Sequence, residues 1–298
     1  MHHFLDPADC SHDALLGLLE RAQRFKSHPA DWPRFQNASL ATLFWEPSTR
    51  TRISFERAAQ RLSMPVVNLD VSHSSETKGE SLEDTVRTLA AMGIDILVVR
   101  HREAGVPAAL ARAVPAHTHL INAGDGTHAH PSQAMLDFMT IREEKPVFSA
   151  LKIAIVGNIR HSRVAHSFMQ AASILGVGEL VLVAPHVWQP TSPVCGRVTD
   201  SLMDGLQDAD VVIALRVQRE RLQAHEHLHL EAYRRDYAIT EAHLQAAKPD
   251  VIVLHPGPVN RGVEIDDEVA DGPRSRILTQ VSNGVFMRMA IIDALLSH

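Results

Sequence analysis

The stretch Leu40-Ala41-Thr42-Leu43-Phe44-Trp45-Glu46-Pro47-Ser48-Thr49-Arg50-Thr51-Arg52 decides the fold class. An apolar run short enough for a buried strand stops at Trp45-Glu46-Pro47, and Ser48 opens a stretch with helical spacing that continues to about Leu62. A strand followed directly by a helix is the unit from which parallel sheets with helical crossovers are built.

Working outward, the same alternation recurs. Strands are predicted near Val66–Leu69, Ile94–Val99 and His119–Asn122, with helices at about His12–Lys26, Ser81–Met92 and Val106–Ala113. A further helix from about Ser132 to Glu144 meets Lys145-Pro146, and proline disfavours helical geometry in the residue before it. The first domain is therefore expected to span residues 1–145. Beyond it the pattern restarts, with strands near Leu151–Val156, Leu180–Ala184, Val211–Ala214 and Val251–Leu254 and helices near Ser162–Leu175, Ser201–Gln207 and Glu241–Ala247. This second domain is expected over residues 146–282. The closing helix, about Asn283–Leu296, lines up Val285, Met289, Ile292 and Leu296 in one apolar stripe, so residues 283–298 are expected to pack back onto the first domain. The fold class is α/β, with two doubly wound parallel-sheet, Rossmann-like domains.

Composition narrows the function classes. A chain of 298 residues is long enough for two cores. Its 29 basic and 35 acidic side chains give a net charge of −6, which offers no general attraction for nucleic acid. Apolar residues make up 45 %, yet no uninterrupted run approaches the ~18 needed to span a bilayer. The opening Met1-His2-His3-Phe4-Leu5-Asp6-Pro7 lacks the features of a secretory signal, so a cytoplasmic location is expected, with no membrane partner. Cys10 and Cys195 are too few and too far apart for a disulfide framework or a Cys-based zinc site.

The chemistry begins at Ser48. A helix N-terminus presents free backbone N–H groups and the positive end of the helix dipole, and Ser48-Thr49-Arg50-Thr51-Arg52 adds hydroxyls and guanidinium groups at the same point. A phosphate would be well held there. Taken alone, the block reads more readily as an ordinary serine cap before a basic helix face.

The larger block Phe44-Trp45-Glu46-Pro47-Ser48-Thr49-Arg50-Thr51-Arg52-Ile53-Ser54-Phe55-Glu56 resembles the signature of the aspartate/ornithine carbamoyltransferase family. The resemblance recurs in order at Ser74-Ser75-Glu76-Thr77-Lys78-Gly79-Glu80-Ser81, Val99-Arg100-His101, Asn122-Ala123-Gly124-Asp125-Gly126, His130-Pro131-Ser132-Gln133, Arg163-Val164-Ala165-His166-Ser167, Arg216-Val217-Gln218 and His255-Pro256-Gly257-Pro258. It covers residue 40 to the end. The aspartate branch is the nearer match, because the ornithine branch closes its site with a cysteine-containing motif and His255-Pro256-Gly257-Pro258 has no thiol.

The resemblance implies transfer of a carbamoyl group from carbamoyl phosphate to L-aspartate, an early step of pyrimidine synthesis, at a site between the two domains. It assigns the phosphate grip to Ser48, Thr49, Arg50, Thr51 and Arg100, arginine's planar fork suiting paired oxygens. Thr51, Arg100 and His130 would steady the charge that develops on the carbonyl oxygen. Gln133 and the carbonyls around Pro256 and Gly257 would accept from the carbamoyl NH₂. Arg163, Arg216, Gln218 and Lys78 would receive the two carboxylates of aspartate. Ser74 and Lys78 lie in a loop that, in the family, enters the neighbouring subunit's site, which implies a homotrimer with shared sites. No cofactor or metal is implied. Attached regulatory or dihydroorotase-like chains are left open, as are an ornithine or other amine acceptor and a non-catalytic, structural role.

Other signals are weaker. His225-Glu226-His227-Leu228-His229 has a metal-like comb, but it falls in the charged tract Arg216–Asp236, expected as a long surface loop with solvated histidines. Gly157-Asn158 follows a predicted strand without the GxGxxG spacing, so no nicotinamide cofactor is expected. Gly257 stands where the family commonly has Leu or Ala.

Overall fold

The structure is a computed structural model that describes residues 1–69, 80–218 and 229–297. Its packing divides the chain into two units, Met1–Met139 together with the chain from Ser282 onward, and Thr140–Val281.

In the first unit, α1 (His12–Ser27) precedes β1 (Leu40–Phe44), α2 (Thr49–Arg61), β2 (Val66–Leu69), α3 (Leu82–Ala91), β3 (Ile96–His101), α4 (Val106–Ala113), β4 (His119–Asp125) and α5 (Pro131–Glu144). The four strands form one parallel sheet in the order β2-β1-β3-β4. Continuous burial along β3 and β4 is what a parallel sheet covered on both faces requires. Leu43, Val86, Leu97, Val99 and Leu110 form its core on one side. Each such side chain contributes roughly 1.5–3 kcal/mol on burial.

The second unit contains β5 (Lys152–Val156), α6 (Arg163–Leu175), β6 (Glu179–Val183), β7 (Arg197–Thr199), α7 (Leu202–Leu206), β8 (Val211–Ala214), α8 (Leu230–Tyr237), β9 (Ile252–Leu254) and α9 (Asp267–Ala270). Its five parallel strands run β7-β6-β5-β8-β9. The start of α6 is fixed by Ser162, whose hydroxyl accepts from the Ala165 N–H, and its end by Gly176 in the left-handed conformation at φ 71°. Both sheets share one winding: the chain lays strands to one side of its first strand, then returns to the other.

The final helix, α10 (Ile277–Leu296), begins before the expected Asn283. Within the first unit, Lys26 of α1 donates to Asn283 at 2.8 Å and Arg21 pairs with Asp293. The division of the units falls inside α5, not at Lys145-Pro146. The proline does end the helix, whose last bond runs from the Lys145 N–H to the Ile141 carbonyl, but a helix is a continuous rod and its end need not coincide with a change of core.

Three other elements differ from expectation. Glu241–Ala247 is not an α-helix but a short 3₁₀ turn over His243–Ala246, closed off by Lys248-Pro249. Part of the charged tract expected as a loop is α8, whose Leu230, Tyr233 and Tyr237 fall at helical spacing, with Tyr233 buried. The strand β7 escaped notice because three residues, Arg-Val-Thr, carry no periodicity to count.

Candidate active site

Open α/β sheets bind ligands outside the carboxyl ends of their strands, where the strand order reverses. In the first unit that reversal lies between β1 and β3. Their carboxyl ends lead into Trp45–Ser48 and Arg100–His101, and the Trp45 N–H donates to the Arg100 carbonyl at 2.9 Å. Ser48 caps α2 in extended conformation but makes no side-chain cap bond. Its hydroxyl instead donates to Thr51 Oγ1 at 3.0 Å. The first turn of α2 contains no acidic residue, so nothing there opposes an anion at the helix dipole. Thr49 and Arg50 are exposed, while Thr51 is buried.

Arg100 is buried and aimed. Its Nη1 donates to the Ala123 carbonyl at 3.0 Å and its Nη2 to Glu46 Oε1 at 2.9 Å. Glu46 thus fixes a guanidinium that would be costly to bury unpaired.

His130 and Gln133 follow β4, the next strand in the sheet. The loop that delivers them is tied by Asp125, whose Oδ1 accepts from the Ala129 N–H and the Asn122 amide and whose Oδ2 accepts from the Gly105 N–H. Gly126, at φ 46°, passes so close to the neighbouring backbone that an added Cβ would lie 2.8 Å from the Ala104 nitrogen. The His130 carbonyl then accepts from the Gln133 N–H, opening α5 with Pro131 at its first position. Gln133 itself is buried and donates through Nε2 to Asp137 Oδ1 at 2.8 Å.

The second unit repeats the arrangement. The reversal lies between β5 and β8, and their carboxyl ends lead into Gly157–Arg163 and Leu215–Gln218. Gly157 is where these two segments approach closely, a Cβ there lying 3.1 Å from that of Leu215. The Gly157-Asn158 pair therefore has a packing reason: Asn158 is buried and its side-chain Oδ1 accepts from the His161 N–H at 3.1 Å. Arg163, the first residue of α6, is buried, and Arg216 and Gln218 are half-buried. After β9, Pro256 and Gly257 form a turn in which Gly257 adopts φ 66°. Glycine suits that backbone better than any residue with a Cβ.

Each set gathers cationic side chains within its own unit, joined in the first by the hydroxyls of Ser48, Thr49 and Thr51, so each is equipped to hold oxyanions. Ser74, Lys78, His225 and His227 lie outside the described residues. Among the described residues no cluster of His, Cys, Asp and Glu could hold a metal ion, and no helix is long and apolar enough to cross a membrane. Sequence reasoning missed the half-buried Glu46 and the buried Asp137 and Glu264, the carboxylates that orient Arg100, Gln133 and the segments around Val217 and Gly257. An i, i+4 spacing on α5 was the only signal available, for Asp137.

Comparison with known proteins covers both units. A family model described as the carbamoyl-P binding domain of aspartate/ornithine carbamoyltransferase matches residues 2–143, and the model for the Asp/Orn binding domain matches residues 149–295. The aspartate carbamoyltransferase catalytic subunit of Legionella pneumophila strain Corby is 57 % identical over 296 residues, 99 % of each chain. An aspartate transcarbamoylase from Trypanosoma cruzi, solved with carbamoyl aspartate and phosphate, superposes with a TM-score of 0.89 at 30 % identity, covering 99 % of this chain and 96 % of that one. The ornithine carbamoyltransferase of Pyrococcus furiosus gives 0.88 at 26 % identity, covering 99 % and 97 %.

Proposed function

The chain belongs to the aspartate/ornithine carbamoyltransferase family, and from that premise we propose how its residues serve the transfer of the carbamoyl group of carbamoyl phosphate to the amino group of L-aspartate. The products are N-carbamoyl-L-aspartate and phosphate. Ser48, Thr49, Arg50, Thr51 and Arg100 grip the phosphate. Thr51, Arg100 and His130 donate to the carbonyl oxygen as the amine adds and charge collects there. Gln133 and the carbonyls of Pro256 and Gly257 accept from the carbamoyl NH₂, fixing its rotation. Arg163, Arg216, Gln218 and Lys78 take the two carboxylates of aspartate, each of which needs its own cation. When the adduct collapses, the C–O bond to phosphate breaks, and the departing phosphate accepts the proton from the attacking nitrogen, so no side chain serves as general base.

The observation that carries this reading is the repeated placement of cationic side chains at the strand-order reversal of each sheet, with hydroxyls beside them in the first. In the first unit they suit a phosphate; in the second, two arginines suit a dicarboxylate. The reading includes a cytoplasmic homotrimer in which Ser74 and Lys78 act in the neighbouring subunit's site.

Phosphate release by the purified chain tests it. Turnover is expected with carbamoyl phosphate and aspartate and not with ornithine; the reverse would overturn the acceptor assignment. In the same preparation, mixed Lys78→Ala and Arg100→Ala chains are expected to regain activity in hybrid trimers. Confirmed mixing without recovery would remove the shared site.

A further inference from the structure

We propose that the buried pair His255 and Glu264 is a positioning device that holds the aspartate-anchoring segment 216–218 in register with the carbamoyl-orienting turn at 256–257. The inference rests on the roles given above to Arg216, Gln218, Pro256 and Gly257, and extends them to two residues that touch no substrate.

Both side chains are almost completely removed from solvent, His255 at 2 % and Glu264 at 1 % exposure. The histidine Nδ1 accepts from the Gly257 N–H at 2.8 Å. That bond requires a lone pair on Nδ1, so the neutral ring carries its proton on Nε2. The Nε2–H is then the donor to Glu264 Oε1, 3.1 Å away. The same carboxylate oxygen accepts from the Asn260 N–H at 2.6 Å, and Oε2 accepts from the Val217 N–H at 3.4 Å.

Val217 is the residue between Arg216 and Gln218, and its other backbone group is held too: its carbonyl accepts from Asn260 Nδ2 at 3.1 Å. The peptide groups on both sides of Val217 are thereby fixed by one turn, residues 255–264, while the histidine of that turn fixes the peptide of Gly257. The His255 N–H donates to Gln280 Oε1 at 2.9 Å, anchoring the end of β9 from which the network starts. Every group facing Glu264 is a donor, and a carboxylate is the one side chain that can only accept. Glutamine has the same shape but would turn an NH₂ toward one of these N–H groups. Loops that carry binding residues are otherwise free to drift, and small misplacements of a clamp are expensive in rate.

Four variants test the proposal: Glu264→Gln, His255→Asn, Asn260→Ala and, as a control on the site itself, Arg216→Ala. The readouts are the KM for aspartate, the KM for carbamoyl phosphate, kcat, the thermal midpoint, and the Kd of succinate measured by calorimetry with carbamoyl phosphate bound. Glu264→Gln is expected to raise the aspartate KM and the succinate Kd together by about tenfold or more, the loss of charge-assisted bonds at a buried site. The kcat should fall by a smaller factor. In His255→Asn the shorter amide still offers Oδ1 to the Gly257 N–H, two residues on, but no longer reaches Glu264. It is expected to keep the carbamoyl phosphate KM within about threefold while raising that for aspartate.

A folded Glu264→Gln protein with aspartate KM and succinate Kd within about twofold of the parent, while Arg216→Ala raises both, would overturn the inference and leave the site reading intact. If Arg216→Ala also leaves both unchanged, the site reading falls and the inference with it. Should Glu264→Gln not fold, Asn260→Ala removes a single bond to Val217 and is expected to raise the aspartate KM about threefold or more; no change there would equally overturn the proposal. A purely structural role would lower the thermal midpoint without moving the succinate Kd.

Discussion

The amide of Gln133 has two chemically opposite ends, and Asp137 selects which one is offered. Its carboxylate is fully buried and receives Gln133 Nε2 at 2.8 Å, so the remaining end, the carbonyl oxygen, is the one able to accept from a carbamoyl NH₂. Asp137→Asn keeps the volume and removes the charge. Two losses follow. The first is stability. Arg288 is buried, and burial pushes its guanidinium down to about 10 against the opposing pull of Asp137. Losing a charge that steadies a buried cation without pairing it directly costs about 1–3 kcal/mol. The lower end is expected, because Arg288 keeps its bond to the Gly284 carbonyl at 3.0 Å and its place over the Phe55 ring at 5.0 Å. The second loss is selectivity. With neither amide end fixed, the hydrogen bond to the substrate NH₂ is weakened by about 1 kcal/mol, or roughly fivefold in rate.

The assay compares kcat/KM for carbamoyl phosphate with that for acetyl phosphate, which carries a methyl group where the NH₂ stands. Asp137→Asn is expected to lower this ratio about fivefold, toward the value of Gln133→Ala. Denaturant unfolding follows stability in the same samples. The double variant Asp137→Asn, Arg288→Met removes the stranded cation and should recover most of the stability without recovering selectivity. The reasoning is refuted if Gln133→Ala lowers the ratio while a folded Asp137→Asn protein retains it.

Two other expectations concern the frame around these groups. Gly126→Ala forces a side chain into left-handed backbone and places its Cβ 2.8 Å from the Ala104 nitrogen, so a loss of about 2 kcal/mol or more is expected in the unfolding free energy. Gly105→Ala, at φ 82° with nothing within 4 Å, bears only the conformational cost of about 1 kcal/mol; equal losses at the two sites would contradict the close approach. Acid should loosen the N-terminal segment. His3 Nδ1 accepts from the Leu120 N–H at 3.0 Å beside the bridge between Phe4 and Ile121, and burial first, then His2 and His119, lower its pKa from 6.5 to about 4. The unfolded chain therefore takes up the proton first as pH falls. The stabilisation is complete above pH 6.5 and is lost toward pH 4. Because the site is only half-buried, solvent screening reduces a nominal ~3 kcal/mol to about 1 kcal/mol. His3→Asn, which accepts without titrating, should flatten the pH dependence of the unfolding midpoint over that range, and an unchanged profile would refute the assignment.

What the sequence made legible follows from which residues must declare their chemistry. Ser48, Arg50, Arg100, Arg163 and Arg216 announce themselves because an anion demands hydroxyls, guanidinium groups and helix N-termini, and because strand and helix alternate visibly around them. The order β2-β1-β3-β4 is not visible in the same way. It depends on which strand the chain returns to, and the pairing of Phe44 with Arg100 joins positions that no local pattern relates. The amphipathic face of α8 was hidden in a tract whose charge density suggested only a solvated loop, although Leu230, Tyr233 and Tyr237 carry the stripe.

The carboxylates behind the site are harder still. In sequence, Asp137 and Glu264 look like any surface acid, and Glu264 meets Val217 across 47 residues. Their contacts are hydrogen bonds accepted from groups beside the candidate site residues, so the chain need only supply an oxygen at the right depth. A carboxylate there is distinguished from its amide by charge and by the absence of a donor, not by shape. For that reason the isosteric replacements Asp137→Asn and Glu264→Gln, which leave packing volume intact, are the substitutions that separate positioning from mere filling of the core.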